Sequence, residues 1–394
     1  MENLIKQKLD SIAECIFTKI QNTEPESFGL YSGEFGILLF LFYYSKYSRN
    51  KKHKLLTEKY AEKLLEQFVE KEKLHTFCSG LSGILYLFEF LRENDFIDMD
   101  ISEVQPLIDN YIVARMRQDI LRQNYDFMHG ALGVGLYFLK SKTNTKYIQE
   151  LIDYLYLTAV KDSSNRIFKW KSVIDDEKNL LGYNIALSHG MSSIVIFLSR
   201  VILNGINDEK IFKMLSGTLN YILNQQIDFM KYGSCFPNHS LESSDNVLKS
   251  RLAWCYGDLG IGIALWQAGK GTDNSFWKEK GIEILLQSTR RRSYKDSFVI
   301  DAGICHGSAG VATIFHRMYL ETSREEFKDA TYYWITQTLN FSRFDDGLAG
   351  YKTHFKDTWI IDYSLLTGIS GIGLVLLSFL EDNQQSLDEM LLLS

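Results

Sequence analysis

The chain has 394 residues, 45% apolar and 23% charged, the balance of an ordinary globular protein long enough to bury a large core. A count of 43 basic against 49 acidic residues leaves a net charge of −6, which argues against a general nucleic-acid binder. The first residues carry Glu2, Lys6, Lys8, Asp10 and Glu14 in an amphipathic pattern, without the apolar core of a signal peptide. The longest apolar runs, Ile37 to Tyr44 and Ile372 to Leu377, fall far short of the roughly 20 residues a membrane span needs. The expectation is a cytoplasmic protein, in which Cys15, Cys78, Cys235, Cys255 and Cys305 read as thiols or metal ligands and not as disulfides.

Prolines are limited to Pro25, Pro106 and Pro237, and long stretches carry a 3.6-residue apolar period, which predicts nearly all helix. In chain order, amphipathic segments near 2–22, 53–73, 101–121, 145–160, 208–230, 275–290 and 323–341 alternate with shorter, uniformly apolar ones. Each apolar segment opens on a spaced glycine pair: Gly33/Gly36, Gly80/Gly83, Gly130/Gly133, Gly257/Gly260, Gly307/Gly310 and Gly368/Gly371. A further copy, Gly190 with Ser193, stands between the third and fifth. A helix apolar all round belongs inside and an amphipathic one outside. Seven such alternations predict an all-α fold, a closed α/α toroid of seven inner helices ringed by seven outer ones, with residues 1–394 as its single domain. An open solenoid is the alternative, but it would end in polar capping repeats, and here the terminal repeats look like the middle ones. The glycines suit crowded helix ends, where a missing side chain lets backbones approach closely.

Connections from inner to outer helices are short, while those from outer to inner helices lengthen at 161–187, 231–252, 291–303 and 342–366. Long loops gathered at one end of a rigid scaffold mark a functional mouth. Within one of them Arg290, Arg291 and Arg292 read as a solvated run, with a docking spot for an acidic partner as the other reading.

The two residues before each first glycine form an axial pair. They are Cys78-Ser79, Met128-His129, Ser188-His189, Cys255-Tyr256 and Cys305-His306 in the second to sixth repeats. Equivalent positions of neighbouring repeats converge, so Cys255, Cys305 and His306 could share one ion. Two thiolates and an imidazole suit zinc and leave a fourth position open for water or substrate. Buried structural cysteines are the competing reading, and it is the one adopted for Cys78.

Three motifs, SHGMSS around His189, RLAWCYGDLGIG at Arg251 to Gly262 and CHGSAG at Cys305 to Gly310, stand in an order that resembles the lanthionine synthetase C-like family of lantibiotic cyclases. The resemblance covers essentially the whole chain. It implies an α/α toroid holding one zinc per chain on Cys255, Cys305 and His306. It also carries active-site roles to His189, Tyr256, Arg251 and Asp126; His129 carries none and reads as a supporting histidine. Taken alone, an Arg or Asp near a helix start reads as a surface pair or cap. The implied reaction is Michael-type addition of a peptide cysteine thiol to dehydroalanine or dehydrobutyrine, closing a (methyl)lanthionine thioether ring. In it His189 would donate or relay a proton, Asp126 would orient His189 or raise its pKa, and Tyr256 and Arg251 would stabilise negative charge or position the peptide.

The implied partners are a dehydrated precursor peptide, a separate dehydratase and an export transporter, which would place the protein in the cytoplasm or hold it at a membrane through a biosynthetic complex. Neither nucleic acid nor a membrane span is expected, and repeat closure suggests a monomer. The first repeat begins by residue 33, which reads as a stand-alone cyclase and not the C-terminal half of a bifunctional synthetase. Two departures from the family pattern are Ser193 in a glycine position and the lack of an interval long enough for an inserted domain, which is absent or reduced to a remnant. Other readings are addition of a small thiol such as glutathione to dehydroamino acids, a non-catalytic zinc-stabilised peptide-binding scaffold, and another toroid enzyme. The Cys-Cys-His set disfavours the last.

Overall fold

A computed structural model describes residues 1–98, 105–175, 180–243, 249–381 and 385–394. Its helices begin with α1 (Glu2–Asn22), α2 (Glu34–Ser48), α3 (Lys51–Lys71), α4 (Leu81–Glu93), α5 (Gln105–Leu121) and α6 (Ala131–Ser141). They continue with α7 (Thr145–Thr158), α8 (Met191–Leu203), α9 (Glu209–Leu223), the short α10 (Phe229–Tyr232), α11 (Asp258–Gly271) and α12 (Ser275–Ser288). The last are the short α13 (Tyr294–Ser297), then α14 (Ser308–Thr322), α15 (Glu325–Asn340), α16 (Ile369–Glu381) and α17 (Gln385–Met390). The expected helices all form; of the expected segment 101–121, residues 101–104 lie outside the described residues.

The chain divides into two compact units, one of residues 1–97 with 299–393 and the other of residues 98–298 with 394. In the first unit α2 packs on α1 and α3, α14 packs on α15 and α16, and α16 packs on both α1 and α2. The last repeat therefore docks directly on the first, as closure of the repeat array requires. In the second unit α6 lies against α5, α7 and α8, and α8 lies against α9 and α11, with α12 along α11.

The inner helices are buried on every side. Residues Glu34 to Phe42 of α2, Met191 to Ser199 of α8 and Ile369 to Ser378 of α16 form unbroken buried runs. Each large apolar side chain removed from water there contributes about 1.5–3 kcal/mol. Outer helices bury one stripe, as in α1, where Ile5, Leu9, Ile12, Ile16 and Ile20 face inward.

A repeated backbone turn leads into the inner helices. The residue after the first glycine donates to the carbonyl seven residues back in Glu34 to Ser27, Leu81 to Leu74, Ala131 to Asn124, Met191 to Asn184, Ser308 to Asp301 and Ile369 to Asp362. The second glycine lies against this turn: a Cβ on Gly310 would sit 1.9 Å from the Ile304 carbonyl oxygen. Ser193 fits at its position and donates Oγ to the Gly190 carbonyl at 2.8 Å.

The near-all-helix expectation needs one refinement, because the long loops contain three two-stranded antiparallel hairpins. These are β1 (Val160–Lys161) with β2 (Phe168–Lys169), β3 (Ser172–Asp175) with β4 (Leu180–Gly182), and β5 (Thr353–Phe355) with β6 (Thr358–Ile360). Loops of this length must pair their own backbone groups wherever water does not, and hairpins do so locally. Among the described residues no disulfide joins the five cysteines. Among the described residues no helix is long and apolar enough to cross a membrane.

The C-terminal segment is held inside the first unit. Leu391, Leu392 and Leu393 are buried, Tyr86 donates to the Glu389 carboxylate at 2.8 Å, and Tyr31 donates to the Met390 carbonyl. Asp388 is fully buried 3.5 Å from Arg317, and burial outweighs that guanidinium to push its carboxyl up to about 7 from 3.8. A raised folded-state pKa means that the folded chain binds the proton more tightly, so this group's cost is absent below pH ~4, grows with pH and is complete above about 7. Asp388→Asn is expected to leave stability unchanged near pH 4 and to raise it by more than about 1 kcal/mol at pH 8, measured by urea unfolding across that range.

Candidate active site

The residues singled out by sequence fall on the loops that enter the inner helices, and each unit contributes its own set. In the second unit Asp126 precedes α6, His189 precedes α8 and Tyr256 precedes α11. Asp126 uses its two oxygens differently. Oδ1 accepts from the backbone N–H groups of Met128 at 2.7 Å and His129 at 2.8 Å, while Oδ2 lies 2.6 Å from His189 Nδ1. Burial pushes the Asp126 carboxyl up, but the His189 hydrogen bond, the positive charge of His189 when it is protonated, and the His129 N–H hold it below the ordinary carboxylate range. An ionised carboxylate on Nδ1 fixes the imidazole's orientation and tautomer, leaving Nε2 as the nitrogen that exchanges protons.

A row of rings surrounds this pair. His129 is exposed and stacks on His189 with centroids 5.8 Å apart and planes 13° apart. The Tyr256 ring lies 6.4 Å from His189, its plane tilted by 47°. His239 meets Tyr256 edge-on at 5.8 Å and 87°, and burial lowers its pKa toward the neutral form. Asn184 is buried, closes a turn by accepting Ala186 N–H at 2.9 Å on Oδ1, and places Nδ2 3.5 Å from the Tyr256 hydroxyl. A cavity of about 20 Å³, lined by Tyr125, Asp126, Trp170, Lys171, Asn184 and His189, adjoins the pair and has room for roughly one water.

Cys255 is fastened to this cluster through its backbone. Its carbonyl accepts from Leu187 N–H at 3.1 Å and Ser188 N–H at 3.2 Å, so the axial pairs of the fourth and fifth repeats sit side by side. Gly257, next along, has φ +80°, and a Cβ there would lie 2.5 Å from Ser250 Oγ, so only glycine enters α11 from this loop.

Behind the loop is a buried ion pair. Arg291 Nη1 donates to Asp258 Oδ2 at 2.9 Å, with side chains 1% and 0% exposed. Asp258 also accepts from Cys235 N–H at 3.0 Å and Phe236 N–H at 2.9 Å, and Arg291 donates to the carbonyls of Ser250 and, at 3.1 Å, Asp296. Three loop segments are thereby tied to the first residue of α11. The reading of Arg290–Arg292 as a solvated run is thus corrected for Arg291, whose partner 33 residues earlier gives no local signal. Arg251 takes no part in the ring cluster, and among the described residues no hydrogen bond or ion pair engages its guanidinium.

In the first unit Cys305 N–H and Ile304 N–H donate to the Leu366 carbonyl at 2.9 and 3.0 Å, repeating the bond pattern found at Cys255. His306 Nε2 lies 3.4 Å from Oδ2 of Asp301, which is almost completely buried. As donors, two exchangeable thiols and an imidazole suit zinc. Cys235 does not suit it, because burial first and Asp258 second push its thiol up, and its Sγ donates to Gln287 at 2.8 Å. Among the described residues no group of three or more His, Cys, Asp or Glu side chains stands ready to hold a metal ion. Sequence reading missed Asn184, His239, Asp258 with Arg291, and Asp301. Asn184 and Asp301 share one register, six residues before the first glycine, which is a signal the sequence does contain.

Seven inner and seven outer helices with these motifs at their mouths define a class. The chain belongs to the lanthionine synthetase C-like protein family, whose model matches residues 24–392. It is 22% identical over 397 residues to the nisin biosynthesis protein NisC of Lactococcus lactis subsp. lactis, covering 91% of this chain and 88% of that protein. Among solved structures it is similar to nisin cyclase, with a TM-score of 0.77 at 19% identity over 100% of this chain and 98% of that one. This likeness shows the fold, the all-α, α/α toroid expected from the repeats.

Removing either member of the Asp258–Arg291 pair leaves a buried charge alone. Asp258→Ala is expected to cost about 3–5 kcal/mol in chemical denaturation. Arg290→Ala, at an exposed residue next to the pair, should change stability by less than about 0.5 kcal/mol.

Proposed function

We propose that this chain is a zinc-dependent lanthionine-forming cyclase, with residues 1–394 acting as one toroidal catalytic domain. Its substrate is a dehydrated precursor peptide, whose cysteine thiols it adds to dehydroalanine and dehydrobutyrine. Family membership and the nisin cyclase likeness support the class of reaction. The observation that carries the assignment of chemistry to residues is the 2.6 Å contact between Asp126 and His189.

The proposed zinc ligands are Cys255, Cys305 and His306, supported by their donor chemistry and by their equivalent places in the repeats. Zinc bound there would supply the Lewis acidity that keeps a substrate thiol as a thiolate at neutral pH. His189, neutral with Nδ1–H on Asp126, has its Nε2 lone pair available to take the thiol proton. The sulfur bonds to the β-carbon of the dehydro residue, and the alkene electrons move to an enolate. The His189 imidazolium, held by ionised Asp126, returns a proton to the α-carbon. Atoms balance within the peptide, and its mass does not change. Tyr256, oriented by Asn184, donates its hydroxyl hydrogen toward the developing enolate oxygen. Arg251 positions the peptide through its carbonyls or carboxylates. Five cysteines, none of them in a disulfide, suit a reducing compartment, and the cytoplasm is the proposed setting.

Purified protein is expected to contain about one zinc per chain by elemental analysis, and Cys305→Ala to contain none. Zinc-free wild-type protein prepared without chelators would sink the metal assignment. His189→Asn is expected to slow ring closure by about 10²–10⁴-fold at unchanged peptide affinity. The assay is alkylation of remaining thiols followed by mass spectrometry. A mass gain equal to added glutathione, with peptide thiols retained, would instead favour small-thiol addition.

A further inference from the structure

The entry turn of the inner helices repeatedly carries Asn or Asp six residues before the first glycine: Asn124, Asn184, Asp301 and Asp362. In all four, Oδ1 accepts the N–H two residues on, from Asp126 at 3.3 Å, Ala186 at 2.9 Å, Gly303 at 3.3 Å and Ser364 at 2.7 Å. That bond closes the turn, and Asn makes it as well as Asp does. The turn alone therefore does not call for a carboxylate at 301, where burial makes a charge costly.

The second oxygen distinguishes Asp301. Oδ2 lies 3.4 Å from His306 Nε2 and accepts the His354 backbone N–H at 3.1 Å. His354 is the middle residue of β5 in its hairpin with β6, and Thr353 beside it donates Oγ1 to the Thr367 carbonyl at 2.7 Å. The carboxylate is thus fixed from two sides, by its own turn and by this hairpin, before it meets the imidazole. A fixed carboxylate beside Nε2 favours the tautomer with its proton there and turns the Nδ1 lone pair outward.

We propose that Asp301 is a positioning residue that orients the His306 imidazole, so that Nδ1 is its metal-ligating atom. The proposal rests on the zinc reading above. Asp301→Asn keeps the turn bond that Asn124 and Asn184 already make and alters only the two Oδ2 contacts, with His306 and with the His354 N–H.

The experiment measures zinc affinity by competition with a chromophoric chelator for wild type, Asp301→Asn and Cys305→Ala. It adds the absorption spectrum of the cobalt-substituted forms and the thermal midpoint of the metal-free proteins. Asp301→Asn is expected to bind zinc about 10–100-fold more weakly and to shift the cobalt bands, with a metal-free midpoint close to wild type. Wild-type zinc affinity and an unaltered cobalt spectrum in Asp301→Asn would overturn the proposal while leaving the zinc site standing. Weaker zinc binding matched by an equal loss of metal-free stability would assign Asp301 to holding the hairpin through the His354 N–H and also overturn it. Failure of the wild type to bind zinc would remove the parent reading and this one together, and Cys305→Ala then would not differ from wild type.

Discussion

The protein depends on the turn that folds back onto the first turn of each inner helix. One backbone bond spans seven residues in six of the seven repeats, and a small residue follows where the helix backbone presses on the turn. The fifth repeat reaches the same helix start by another route, through the positive φ of Gly257 and the buried carboxylate of Asp258. With helix entry secured by backbone, the two axial residues between turn and helix are free to vary chemically. They run from Tyr31-Ser32 through Ser188-His189, Cys255-Tyr256 and Cys305-His306 to Leu366-Thr367. A scaffold that asks little of those side chains can give them over to reaction chemistry.

Neighbouring repeats are joined by a second backbone device. In the first unit Cys305 N–H donates to Leu366 O, Leu366 N–H to Tyr31 O, and Tyr31 N–H to Cys78 O. In the second unit Leu187 and Ser188 make the same kind of bond to Cys255 O. These bonds connect axial residue to axial residue, so within each unit the spacing of the axial side chains follows from main-chain geometry and not from packing of flexible loops. The docking of α16 on α1 and α2 extends the series from the last repeat to the first.

Most of this was legible in the sequence because it repeats. Apolar periodicity located all fourteen long helices, and the spaced glycines set their register so that His189, Cys255, Cys305 and His306 could be compared position by position. What escaped was non-local or unpatterned. Three consecutive arginines look solvated until Asp258 is found opposite Arg291 in the interior. The strands β1 to β6 are two to four residues long and too short to show alternation. His239 meets Tyr256 from a loop with no periodic signal at all. The leucines at 391–393 lie beyond the last glycine-led helix, outside the repeat pattern, and prove to be core.

The side chains that support the reactive groups share one economy of design, in which one atom builds the fold and the other reaches the chemistry. Asp126 caps its loop with Oδ1 and holds His189 with Oδ2. Asn184 closes its turn with Oδ1 and reaches Tyr256 with Nδ2. Asp301 closes its turn with Oδ1 and faces His306 with Oδ2. An atom anchored this way cannot rotate without breaking a backbone bond, so the imidazoles and the phenol are oriented before any substrate arrives. Addition of a thiol to an alkene needs the proton donor and the charge-stabilising hydroxyl aimed at atoms that become basic only in the transition state. In the proposed mechanism, groups already fixed by the fold would meet that need without reorganising during the reaction, and rigid helix entries are better suited to hold them than mobile loops are.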